Sequence, residues 1–97
     1  MIRIRALIAF CELILKEPFD IISIYKMNKD FEFMRCYRYS TTFKEMVFDN
    51  NTIKESLVII DFCLNNAKYR NENEIKKYAN KILNTLKGLG WYENNKD

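Results

Sequence analysis

Apolar residues recur every three or four positions near the start of the chain, at Ile4, Leu7, Ile8, Cys11, Ile14 and Leu15. That spacing gathers them on one broad face of an α-helix and leaves Arg3, Arg5, Glu12 and Lys16 for the rest. Pro18 restricts Glu17 to extended backbone, so the helix is predicted to stop near Lys16. A competing pattern is the alternation Ile2-Arg3-Ile4-Arg5, which reads as a short strand over residues 2–6.

Residues 19–39, FDIISIYKMNKDFEFMRCYRY, change character. Branched and aromatic side chains dominate, and these pack well on a pleated sheet. The pattern predicts two strands joined by a polar turn at Asn28-Lys29-Asp30. One face of the first strand would carry Phe19, Ile21, Ser23, Tyr25 and Met27. One face of the second would carry Phe31, Phe33, Arg35, Tyr37 and Tyr39, with Glu32, Met34, Cys36 and Arg38 opposite. Neither strand separates cleanly into an apolar and a polar side. Both faces of the sheet are therefore expected to meet something, the chain's own helices or a partner.

Ser40-Thr41-Thr42 reads as a turn, and residues 43–48 as a short third strand or an irregular cover. Asp49-Asn50-Asn51 breaks the pattern, because Asx side chains bond their own backbone. Thr52-Ile53-Lys54-Glu55 has the form of a capping box and opens a helix over residues 52–66. Ile53, Leu57, Ile60 and Leu64 form one stripe of it. Val58, Ile59, Phe62 and Cys63 widen that stripe to most of the circumference, the mark of a buried helix. Residues 57–64 also fit a buried strand, but the cap and the length favour a helix. Asp61 is the one acid in this run and is expected to point out near Lys54, Lys68 or tyrosine hydroxyls. Asn71-Glu72-Asn73-Glu74 is a second cap. The helix after it places Ile75, Tyr78, Ala79, Ile82, Leu83 and Leu86 inward and Lys76, Lys77, Lys81 and Lys87 mostly outward. Gly88 or Gly90 supplies the left-handed residue that ends it. Trp91 and Tyr92 are expected to fold back on the core, and residues 93–97 to fray.

The elements add up to one α+β domain over residues 1–97: an N-terminal helix, a two- or three-stranded antiparallel sheet, and two C-terminal helices packed on it. At 48% apolar and 30% charged residues, the chain can build a core. The formal charge of +3 permits nucleic-acid binding without demanding it.

Chemistry is constrained by what is missing. The chain has no histidine, the commonest general base and the usual partner of a nucleophilic Ser or Cys. Cys11, Cys36 and Cys63 are few, far apart and odd in number, which argues against a disulfide framework or a zinc site. They read as buried thiols in a reducing compartment. The two glycines follow a helix and form no phosphate loop. No enzyme activity, cofactor or metal is expected. Arg3 and Arg5 before an apolar run mimic a signal peptide, but Glu12 interrupts the run and no cleavage site follows. The run is also too short to span a membrane. A soluble cytoplasmic protein is expected.

One constellation has functional content. Arg35, Tyr37, Arg38 and Tyr39 alternate on the second predicted strand, with Tyr25 on the first. Aromatic and arginine side chains dominate protein–protein hot spots. They also stack unpaired bases and hold phosphates. The leading expectation is a small binding protein that inhibits or regulates a host protein or complex. The Asn-, Lys- and Ile-rich composition suggests a phage or mobile element as its setting. A single-stranded RNA- or DNA-binding regulator is the alternative, and a homo-oligomer is compatible with either. The segment over residues 79–92 resembles the last helix and wing entry of winged-helix regulators. Residues 67–73 are too polar and short for the middle helix of that family, so no function is carried over.

Overall fold

The computed structural model describes residues 2–35, 50–69 and 71–92 of the chain. Among them the architecture is all-helical: α1 (Ile2–Leu15), α2 (Ile21–Arg35), α3 (Asn51–Asn65), a 3-10 turn (Ala67–Tyr69) and α4 (Glu72–Gly88). α4 packs against both α3 and α1, and α1 also carries α2. The core is built where these contacts meet. Leu7, Phe10, Cys11 and Ile14 come from α1, and Ile24 from α2. Ile53, Leu57, Ile60 and Leu64 come from α3, and Ile75, Ala79, Ile82 and Leu86 from α4. Full burial of one such aliphatic side chain contributes about 1.5–3 kcal/mol.

The α+β expectation is overturned. No strand occurs among the described residues, and the segment read as a hairpin is helical as far as Arg35. The reason is local. Asp20 caps α2: its Oδ1 accepts from the Ser23 N–H at 3.2 Å, its Oδ2 accepts from the Ser23 hydroxyl at 2.7 Å, and its carbonyl accepts from the Ile24 N–H at 3.1 Å. An Asp three residues before its hydrogen-bonding partner is a helix start signal. Once started, the helix turns Ile24 and Asn28 to the inside on successive turns. The predicted turn at Asn28-Lys29-Asp30 lies within α2. It has no glycine, although the tightest hairpin turns need positive φ. Strand preference of Ile, Tyr and Phe is a matter of surroundings, and here packing on α1 prevails. The N-terminal alternation over residues 2–6 is likewise helical. The expected turn at 40–42 and third strand at 43–48 lie outside the described residues, as do residues 93–97.

The C-terminal half follows its pattern closely, with shifts at the ends. Asn50, not Thr52, caps α3, its Oδ1 accepting from the Ile53 N–H at 3.1 Å. Asn71 caps α4 as expected, accepting from the Glu74 N–H at 3.0 Å. α4 ends in a Schellman turn, with the Trp91 N–H donating to the Leu86 carbonyl at 2.9 Å and the Gly90 N–H to Lys87 at 3.1 Å. Gly90 takes the left-handed conformation at φ +83° that this turn requires. Tyr92 packs on the core, and its hydroxyl donates to Glu12 Oε2 at 3.2 Å. Trp91 does not fold back and stays exposed. Lys76 departs from the expected outer row. It is half-buried and bonded to Glu17 and, at 2.8 Å, to Glu72, so it ties the α1–α2 connection to α4.

Candidate contact surface

Of the expected arginine–tyrosine constellation, only Tyr25 and Arg35 fall among the described residues. Tyr25 lies on α2, and Arg35 is the last residue of the same helix. Ten residues of helix separate their Cα atoms by about 15 Å along the axis, at 1.5 Å per residue. They are not cross-strand neighbours. Tyr37, Arg38 and Tyr39 lie outside the described residues, as does Cys36.

Tyr25 does belong to a surface. Ile22, Lys26 and Lys29 are spaced by four and three residues, which stacks them on one side of α2. All three are exposed, Ile22 at 66%. Ile21, Ile22, Tyr25 and Lys26 line a shallow cavity of about 290 Å³. Tyr25 is half-buried at its edge, packed against the core. The Lys29 ammonium lies 5.2 Å from the centre of the Tyr25 ring, a cation–π distance. The face thus combines an exposed branched aliphatic group, an anchored ring and two cations. It stands near the N-terminal end of α2, held in place by the Asp20 cap and by Ile24 below it.

A second apolar surface lies on α3. The sequence pattern placed Val58 and Phe62 in a buried stripe, but they are 58% and 50% exposed. The buried stripe is narrower and consists of Ile53, Ser56, Leu57, Ile60, Cys63 and Leu64. Tyr69, on the 3-10 turn, is exposed and stands with its ring centre 5.4 Å from that of Phe62. Lys68 lies over the Tyr69 ring at 5.9 Å. The helical spacing of Val58 and Phe62 was visible in the sequence. The circumference of α3 that α4 covers was not.

Asp61, expected to point out near Lys54, Lys68 or tyrosine hydroxyls, is drawn into a contact with α2. It is half-buried and faces α2, where Asn28 Nδ2 donates to its Oδ1 at 2.8 Å. Asn65 Nδ2 donates to the same oxygen at 3.0 Å and to the Asp61 carbonyl at 3.0 Å. Asn28 itself is only 1% exposed, and its Oδ1 has no hydrogen-bond partner. Through Asn28 and Asp61 the arrangement is a polar tie between α2 and α3.

Cys11 and Cys63 are buried free thiols. Burial pushes both thiols up from their ordinary range, helped by Glu12 at Cys11 and Glu74 at Cys63. Neutral buried thiols are poor nucleophiles. Among the described residues no three His, Cys, Asp or Glu side chains come together as a metal site, and no helix is long and apolar enough to cross a membrane. No protein-family model, curated protein or solved structure matches this chain.

Proposed function

We propose that the chain is a non-enzymatic binding protein that regulates or inhibits a host macromolecule by protein–protein contact. The contact surface is the outer face of α2: Ile22, Tyr25, Lys26 and Lys29. The observation that carries this reading is the exposed Ile22 lining a cavity together with Tyr25 and Lys26. Exposed branched and aromatic groups cost solubility, so a patch of them rimmed by charge marks a contact surface. The partner that fits presents an apolar side chain to the cavity and carboxylates to Lys26 and Lys29. Buried thiols at Cys11 and Cys63 suit a reducing cytoplasm.

A protein partner is favoured over single-stranded nucleic acid by one detail. Lys29 already lies over the Tyr25 ring, and the ring is half-buried. A base that stacked there would have to displace the lysine.

The test is a pull-down from host lysate with the wild type and with Ile22→Glu, read alongside absorbance at 260 nm. The reading predicts a protein partner, retained at moderate salt and lost by at least roughly thirtyfold in affinity with Ile22→Glu. The melting temperature of the variant should match the wild type. Co-purifying nucleic acid whose binding collapses with salt would support the other reading.

A further inference from the structure

We infer that α3 is a homodimerisation face, packed antiparallel against α3 of a second copy about a two-fold axis. The inference concerns a different surface from the one proposed for function and does not depend on it. Val58 and Phe62 are one turn apart and both half or more exposed, and the Tyr69 ring extends the apolar strip beyond the end of the helix. What selects a second copy as the occupant is the charge at the two ends. At 100° per residue, Glu55 and Phe62 share one flank of the helix. Beyond the helix end the Tyr69 ring meets Phe62, and the Lys68 ammonium lies 5.9 Å from that ring, which brings Lys68 to the Phe62 side. Lys54, Asp61 and Asn65 share the other flank. Glu55, Lys54 and Lys68 are all exposed.

A two-fold axis between antiparallel helices reverses each flank end to end while keeping it opposite itself. With Val58 and Phe62 at the centre, Glu55 of one copy then meets Lys68 of the other, and the same pair repeats across the axis. On the other flank Lys54 meets Asn65. No like charges are opposed at either end. A parallel two-fold packing exchanges the flanks and would set Glu55 against Lys54 instead, and a head-to-tail packing leaves the apolar strip partly uncovered; the charge reversals below separate these from the antiparallel pair. A strip this short lies at the small end of stable interfaces, so the dimer exchanges with monomer at ordinary concentrations.

The experiment is sedimentation velocity of the full chain from about 5 μM to about 500 μM, a range that spans weak interfaces. The expected result is a mass that rises with concentration toward two copies. Phe62→Glu should remain monomeric throughout with an unchanged melting temperature. Glu55→Lys and Lys68→Glu should each weaken the dimer roughly tenfold or more, by opposing like charges. The double reversal should restore it, because the pairing is regained with signs exchanged. A wild type that stays monomeric across the range would overturn the inference, whatever else the α3 face takes up. So would a dimer indifferent to Phe62→Glu, or a double reversal no better than the singles.

Discussion

Replacing Asn28 by Ala separates the two possible structures of the segment it lies in. In a hairpin Asn28 would occupy a solvent turn, where substitutions usually move stability by less than about 0.5 kcal/mol. In the helical structure it is buried and donates to a carboxylate at 2.8 Å. Hydrogen bonds to charged groups are worth about 1.5–3 kcal/mol. Asp61 is half-buried and keeps the bond from Asn65, which places the loss toward the lower end, at about 2 kcal/mol. The unpartnered Oδ1 of Asn28 is removed at the same time, which limits the loss further. For a domain of this size each kcal/mol moves the melting temperature by about 4–8 °C, so a fall of roughly 8–16 °C is expected. Thermal unfolding followed by circular dichroism measures it. A double-mutant cycle with Asp61→Ala isolates the pair, since whatever Asp61 gives to Asn65 or other groups cancels. A coupling of about 1–2 kcal/mol is expected. If Asn28→Ala is neutral and the coupling is near zero, α2 does not pack on α3 as described.

Other outcomes follow from the core and from titration. Leu57→Ala and Ile60→Ala each remove a side chain buried between α3 and its neighbours, and urea unfolding should show a loss of about 2–5 kcal/mol for each. In native protein Cys11 and Cys63 should resist alkylation at pH 8 and react fully once unfolded, since burial raises both thiols. The folded state then holds protons that the unfolded chain releases, so the stability they contribute is complete below the ordinary thiol value of about 8.5 and declines as pH rises above it. Asp20 has the opposite sign. Its side-chain and backbone bonds with Ser23 hold its carboxyl below the usual range, so its contribution is present above that range and is lost as pH falls through it. Asp20→Asn should flatten the acid limb of the melting curve below about pH 4.

The sequence was legible where helical spacing and caps agreed. α1, α3 and α4 appear within a few residues of their expected ends, because Pro18, the Asx run at 49–51 and Asn71 punctuate the chain. It was misread where strand-favouring residues hid a helix. In residues 21–35 the inward positions include a polar one, Asn28, so the apolar stripe is interrupted. Its counterpart, Asp61, lies far along the chain, and nothing local announces their pairing. The missed signal was Asp20 with Ser23. Of the surface proposed for contact, only Tyr25 was legible. Ile22, Lys26 and Lys29 come together with it only at helical spacing, and as strand positions 22 and 26 would have faced away from 25 and 29. Val58 and Phe62 were misjudged for another reason: a wide apolar stripe does not say how much of it the neighbouring helices cover.

The most direct test is a substitution scan from Ile22 to Lys29 against the partner recovered by pull-down, with the melting temperature of every variant measured. The account predicts that binding falls at Ile22, Tyr25, Lys26 and Lys29, at helical spacing. Variants of Ile22, Lys26 and Lys29 should melt with the wild type, whereas Ile24 and Asn28 variants should lose stability first. Binding lost at every second position, or retained at Ile22 and Lys26 alike, would contradict it.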